Sequence, residues 1–399
     1  MQSKKSIKND PIFTRGVEEF IGEDEIVKIL KSNKKLRVKF GIDPTASELH
    51  LGHLSCLHKL NEFQEMGHTI LFIIGDYTAQ IGDPSGRDKS REFLTDNQIK
   101  VNMKDYLKQA GLIINTKKIE IYYNSQWYQK SKIDLLMKLA SLQTLARVIE
   151  RDDFQKRMKS NKDISLQEIF YPLLQAYDSV MVKSDLEIGG TDQKFNLLMG
   201  REIQRKFNQK PQAVMTLPLL VGIDGKKKMS KSFGNYIGLL EDYNSQFGKI
   251  MSIPDDLILS YFEIAARTSG KELAKIKRLL KNSKNRKDLK QSLARDIVAI
   301  LHGSEASSLA QENFNRIFRD KQNPIDMPIY KIKSNKKDKL VNLLVEFDLV
   351  DSKSKARRLI EQGGIKIDDA VITDVNSEIT LYNGMIIRAG KMKFLKIQK

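Results

Sequence analysis

Two apolar runs near the amino terminus, LRVKFGI at 36–42 and TILFIIGD at 69–76, have the length and the β-branched and aromatic content of buried strands. Between them, LSCLHKLNEFQEM at 54–66 repeats its apolar positions at helical spacing. The alternation continues over residues 1–240 and predicts an α/β domain, a Rossmann-like parallel sheet covered by helices. Ligands of such sheets gather beyond the carboxyl ends of the strands, here residues 41–44 and 75–84, both rich in Gly, Asp and Pro.

From 241 to 320 the strand signal gives way to helical periodicity, in LILSYFEIAA, ELAKIKRLLKN and SLARDIVAILHG, which predicts an α-helical second domain. Residues 321–336, with two prolines at 324 and 328 and a lysine cluster, have the character of a linker. The remainder, 337–399, predicts a small α+β unit: helices in KLVNLLVEFDLV and SKSKARRLIEQGG, then short strands around IKIDDAVI and GMIIRAGKMKFLKI.

A chain of 399 residues is long enough for two or three such domains. With 40% hydrophobic residues and no apolar run of about eighteen, nothing in it is expected to cross a bilayer. The excess of 68 Lys and Arg over 50 Asp and Glu, a net +18, favours a polyanionic partner if it clusters. Clusters stand in KELAKIKRLLKNSKNRKDLK, which is either a solvated face or an RNA-facing patch, and at Lys353, Lys355, Arg357 and Arg358, along which a polyphosphate backbone fits. The single cysteine, Cys56, excludes an intramolecular disulfide framework and a cysteine-rich zinc site, and suits a reducing cytoplasm. The first twenty residues lack the apolar segment of a secretory signal.

Candidate chemistry starts with HLGH at 50–53. Two histidines three apart at a helix start supply too few ligands for a zinc site, and read alone are either capping and packing residues or groups facing a ligand beside the bare backbone of Gly52. KKKMSKSFGN at 226–235 is likewise either solvated charge or a loop whose Lys228 and Lys231 converge on an anion. In YPLLQAYDSV at 171–180, Tyr171, Gln175 and Asp178 form one polar stripe on an otherwise apolar helix, so they need partners. EIGGTDQKFN at 187–196 sets Gly189 and Gly190 before Asp192 and Gln193, suited to close backbone contact with a nucleotide.

Taken together, HLGH and KMSKS resemble the two signatures of class I aminoacyl-tRNA synthetases. With the other two stretches, GDYTAQIGDPSGRDKSR and the basic carboxyl-terminal unit, the chain resembles the bacterial tyrosyl-tRNA synthetases over almost its whole length. The resemblance implies activation of L-tyrosine by ATP, with Mg2+ as part of that substrate, and transfer to the 3'-terminal adenosine of tRNA(Tyr). It implies no resident metal or organic cofactor, and a cytoplasmic homodimer. Asp178 would accept the substrate phenol; Tyr171, Gln175 and Asp83 would hold its ammonium, with Gln193 lining the pocket. Thr45, His50 and His53 would contact the ATP phosphates, Gly41, Asp43, Gly190, Asp192 and Met229 would flank the nucleotide, and Lys228 and Lys231 would grip the pyrophosphate, aided by Arg87 and Arg91. The basic carboxyl-terminal residues would contact tRNA. In the best-known members a tyrosine precedes the first of these glycines by two residues; here that position is Lys39, as in a second branch of the family. Rival expectations are a tryptophanyl enzyme, a non-catalytic RNA-binding homologue and a nucleotidylyltransferase without tRNA.

Overall fold

The computed structural model describes residues 10–85, 94–131, 133–282, 285–332, 336–390 and 393–399. Six strands form one sheet in the order β1-β6-β5-β2-β3-β4: β1 Glu19–Ile21, β2 Arg37–Ile42, β3 Thr69–Ile74, β4 Glu120–Tyr123, β5 Leu186–Gly190 and β6 Ala213–Leu217. The pairs among β2 to β6 are parallel, and β1 closes one edge antiparallel to β6. Because helices cover both faces, the inner strands are buried throughout: Ile70 to Ile74 of β3, and the whole of β6. Each fully buried Ile, Leu or Phe of these runs contributes about 1.5–3 kcal/mol relative to exposure. Strand order reverses between β2 and β5, so connections leave those two strands in opposite directions and open a crevice at their carboxyl ends.

The helix Leu166–Val182 lies against this crevice. Its start is held by a capping box in which Ser165 and Glu168 bond reciprocally, and Glu168 also accepts both ends of the buried Arg157 guanidinium at 2.7 and 3.0 Å. Its apolar positions Leu173, Leu174, Ala176 and Val180 join a core with Leu71, Ile73, Trp127 and Met199. The polar stripe at 171, 175 and 178 is thereby turned to the crevice.

Two compact units divide the chain, Met1–Leu240 with Ile253–Leu289, and Glu241–Ser252 with Lys290–Lys399. The boundary differs from the expected one at 240 because the helices at Ile258–Ile264 and Gly270–Leu279 group with the six-stranded sheet, whereas the helix Tyr243–Met251 packs on the later helix Ser304–Phe318.

In the second unit a five-stranded sheet runs β10-β9-β12-β13-β7 and a two-stranded one β11-β8, with β7 Ile329–Lys331, β8 Lys337–Lys339, β9 Ile365–Ile367, β10 Ala370–Ile372, β11 Glu378–Thr380, β12 Ile386–Ala389 and β13 Lys393–Gln398. Helices Leu340–Glu346 and Lys353–Glu361 complete a core around Leu340, Leu344, Ile360 and Ile387. The 321–336 stretch does more than connect: β7 pairs in parallel with β13, and Asp326 accepts bonds from Tyr243 and Asn313. Its strand was masked in the sequence because a three-residue run with one apolar side chain inward has no periodicity to detect.

Candidate active site

At the carboxyl ends of β2, β3 and β5 lies a cavity of about 1380 Å³, lined entirely by residues of the first unit. Of the residues expected from sequence, Lys39, Gly41, Asp43, Thr45, His50 and His53 face it from β2 and the turn that follows. Asp83, Tyr171, Gln175 and Asp178 line it together with Gly190, Asp192 and Gln193, and the late loop brings Lys228 and Met229. Lys231 is not in the wall; its ammonium bonds to Ser47 Oγ at 3.3 Å. Arg87 and Arg91 lie outside the described residues.

One end of the cavity is a carboxylate cluster. Asp43 accepts from Thr78 Oγ1 at 2.7 Å and Tyr171 Oη at 2.8 Å, and Asp83 Oδ2 accepts from Gln193 Nε2 at 2.6 Å. Asp178 Oδ1 accepts from Trp127 Nε1 at 3.0 Å and Tyr128 Oη at 2.9 Å, and its Oδ2 from Asn124 Nδ2 at 3.3 Å. Burial pushes Asp43 up to about 7, opposed by the Thr78 bond and reinforced by the neighbouring Asp83 and Asp178 charges. Burial likewise lifts Asp178 to about 6, with Lys39 pulling the other way. Two buried carboxylates raised in this way, with Asp83 beside them, suit a small cation carrying hydrogen-bond donors. Gly75 is obligatory here, since a Cβ would lie 2.0 Å from Asp43 Oδ1.

The other end carries the histidines. The helix start expected at HLGH lies later: Leu51–His53 is a 3-10 turn and the α-helix starts at Leu54, with His50 in extended conformation before the turn. The cause is a reciprocal cap, in which His50 Nδ1 accepts from Gly52 N at 3.2 Å and His53 Nδ1 accepts from His50 N at 3.1 Å. The His50 ring therefore carries its proton on Nε2 and donates from it, while His53 Nδ1 stands 3.1 Å from His50 N and 3.2 Å from His50 O. Burial lowers His53 to about 4, and burial with His53 and Lys228 nearby lowers His50 further from its ordinary value, so both are neutral at pH 7. Gly52 makes room for the two rings, tilted at 47° with centroids 4.1 Å apart: a Cβ there would meet the His50 ring at 2.9 Å.

The lysine loop is joined to this turn by backbone. Leu51 N donates to Ile237 O at 3.0 Å and Leu239 N to Leu49 O at 2.9 Å. Lys228 reaches across to Asp192 Oδ2 at 2.5 Å, so the two lysines hold different groups rather than converging. The buried Asn235 staples the loop from within: its Oδ1 accepts from Ser230 N at 2.9 Å, and its Nδ2 donates to Asp224 Oδ2 at 3.1 Å, Lys228 O at 3.2 Å and Lys227 O at 3.3 Å.

Sequence reasoning missed the supports of the acidic end. Asn124, Trp127 and Tyr128 follow β4 in a segment without a motif, although Trp127 is the chain's single tryptophan. Asn196, inside the GGTDQKFN stretch, links Gln175 Oε1 at 2.9 Å, Gln193 Oε1 at 3.2 Å and Arg151 Nη1 at 2.7 Å.

A parallel sheet whose crevice is faced by HLGH donors on one strand's exit and a KMSKS loop after the last strand defines a class I aminoacyl-tRNA synthetase catalytic domain. The family described as tRNA synthetases class I (W and Y) matches residues 31–319, and the Tyrosine--tRNA ligase SYY-like C-terminal domain matches 321–397. The chain is 46% identical to a tyrosine–tRNA ligase of Dehalococcoides mccartyi over 97% of its own length and 98% of that protein. It is 44% identical to that of Thermotoga maritima, over 97% and 96%. Among solved structures, the tyrosyl-tRNA synthetase of Archaeoglobus fulgidus, in complex with L-tyrosine, superposes with a TM-score of 0.62 at 25% identity, covering 75% of this chain and 98% of that one. A truncated mitochondrial tyrosyl-tRNA synthetase of Aspergillus nidulans has the same fold, with a TM-score of 0.63 at 21% identity over 80% and 95%. The chain belongs to the tyrosine–tRNA ligases.

Asn235→Ala removes the loop's internal support and strands buried backbone groups, at a cost of about 1–3 kcal/mol. Limited trypsin digestion should cut the variant faster at Lys226–Lys231 while cleavage elsewhere keeps its wild-type rate. Equal cutting of the two proteins there would show that Asn235 does not hold the loop.

Proposed function

We propose that the cavity holds L-tyrosine at its acidic end and Mg-ATP at its histidine end, and that the chain joins them as tyrosyl adenylate before charging the 3'-terminal adenosine of tRNA(Tyr). The observation that carries this reading is the pairing, in one cavity, of a desolvated acidic cluster with two neutral imidazoles, His50 being held as an Nε2–H donor. The acidic end fits an amino acid's ammonium among Asp83, Tyr171 and Gln175, and leaves Asp178 to accept a phenol. Gln193 is tied to Asp83 and lines the same wall.

Adenylation forms a bond from a tyrosine carboxylate oxygen to the α-phosphorus and breaks the bond from that phosphorus to the pyrophosphate oxygen. The carboxylate is nucleophile enough, so the protein's work is alignment and the stabilisation of charge on the phosphates. His50 and His53 donate to phosphate oxygens from neutral rings, with Thr45 beside them. Gly41, Asp43, Gly190, Asp192 and Met229 flank the nucleotide. Lys228 exchanges its contact with Asp192 for the pyrophosphate, and Lys231 leaves Ser47 to join it. In the second step a ribose hydroxyl attacks the adenylate carbonyl and AMP departs, with no covalent enzyme intermediate.

The proposal extends to assembly and RNA. Ile133 and Met137 on one helix, Leu145 on the next and Leu166 are exposed at 73%, 63%, 59% and 76%. An apolar face of this kind suits a second copy of the chain in a homodimer. On the helix Lys353–Glu361, Ala356 and Ile360 face the core, so Lys353, Lys355, Arg357 and Arg358 point outward as a tRNA-binding stripe.

His53→Ala should lower the rate of adenylate formation about 10²–10³-fold, by loss of one preorganised donor, with tyrosine affinity unchanged in pre-steady-state fluorescence; an unaltered rate would remove His53 from the phosphate site. Ile133→Asp with Met137→Asp should sediment at half the wild-type mass, and a monomeric wild type would dispose of the dimer. Arg357→Glu with Arg358→Glu should weaken tRNA binding while tyrosine-dependent pyrophosphate exchange persists; undiminished binding in a filter assay would clear this helix of any RNA role.

A further inference from the structure

Lys39 and Glu187 are directly opposed on β2 and β5, 0% and 1% exposed, with Nζ and Oε1 2.8 Å apart. A buried ion pair is a poor device for joining strands, because apolar side chains of similar volume hold them at least as well. This pair instead lines the cavity, on the wall that also carries Asp178.

The ammonium of Lys39 has three hydrogens, and three protein acceptors meet them: Glu187 Oε1 at 2.8 Å, Ser179 Oγ at 2.7 Å and the Gln175 carbonyl at 3.0 Å. None is left for a substrate atom. Ser179 and Gln175 flank Asp178 on the helix Leu166–Val182, and Glu187 holds the same two residues by their side chains, accepting from Ser179 Oγ at 3.0 Å and from Gln175 Nε2 at 3.3 Å. Asp178 faces Asn124, Trp127 and Tyr128 from the segment after β4, Lys39 from β2, and Asp43 and Tyr171 across the pocket. Its Oδ1 already accepts two bonds, whereas Oδ2 accepts one long one, which leaves Oδ2 for a ligand.

We propose that the Lys39–Glu187 pair is the positioning unit that sets tyrosine specificity: through its charge and its grip on the helix it presents Asp178 Oδ2, and the substrate phenol is read by one donated hydrogen bond, with no second contact from position 39. The proposal rests on Asp178 being the phenol acceptor. It assigns Lys39 a role distinct from that of a tyrosine at this position, whose hydroxyl would meet the substrate directly.

Wild-type enzyme tests the single bond through tyrosine-competitive inhibition of pyrophosphate exchange. 4-Aminophenylalanine, which donates, should compete at least about tenfold better than phenylalanine. 4-Fluorophenylalanine, which only accepts, should compete no better than phenylalanine; if it does compete better, a donor at position 39 meets the substrate and the proposal is overturned. The double variant Lys39→Met with Glu187→Met, neutral overall as the pair is, tests the charge. The pH below which the tyrosine KM climbs should move up by about one unit, because a nearby cation no longer favours ionised Asp178, while the KM for ATP keeps its value. A double variant with lowered Tm and an unmoved pH profile would make the pair merely structural and overturn the assignment. Asp178→Asn separates the two readings: retention of tyrosine-over-phenylalanine preference there would sink the placement of the phenol itself, whereas its loss beside an unmoved Lys39 and Glu187 profile would sink only the pair.

Discussion

Carboxylates withdrawn from water constrain everything around the crevice of this enzyme. Asp43 and Asp178 are buried at the carboxyl ends of the sheet, where burial raises both and the charges of Asp83 and Asp178 raise Asp43 further. Such groups persist only with donors, and the surrounding architecture supplies them: Thr78 and Tyr171 for Asp43, Gln193 for Asp83, Asn124, Trp127 and Tyr128 for Asp178. The donors come from four separate parts of the chain, and the sheet is what brings them to one wall. In the proposed function this desolvated acidic end is what receives the ammonium of the amino acid.

The opposite end of the cavity solves a different electrostatic problem. Under the proposed function, phosphates that gain charge during adenylation need donors there, yet a fixed excess of cations would bind ATP and pyrophosphate tightly in every state. Two neutral imidazoles, that of His50 turned outward by the Gly52 N–H on its Nδ1, suit directional donation without net charge. The lysines stand by on protein partners, Lys228 on Asp192 and Lys231 on Ser47, and the loop carrying them is braced by Asn235. Charge is thus held in reserve next to a neutral, rigid site.

Much of this was legible in the chain itself. Apolar runs of strand length marked β2 and β3, helical spacing marked the helix from Leu54, and the polar stripe at Tyr171, Gln175 and Asp178 declared its need for partners before any partner was visible. Local chemistry is enough for such inferences, because period and composition are properties of neighbours in sequence. HLGH and KMSKS identified the class for the same reason: each motif is a short segment whose backbone and side chains act together.

Other features depended on groups remote in sequence. HLGH itself stays outside the α-helix because the two histidines cap each other's turn, and the same cap set the tautomer of His50. Lys39 looked like a departure from a phenol-binding tyrosine, and its meaning emerged only when the register of β2 on β5 set it against Glu187 and the sheet buried both. Composition and periodicity determine which segments become strands and helices and which residue types carry the chemistry. Which carboxylate meets which donor, and which lysine is a buried counter-charge and which stands on a loop at the cavity's edge, is decided by the tertiary structure, since desolvation and hydrogen-bond geometry exist only once distant segments close around a common space.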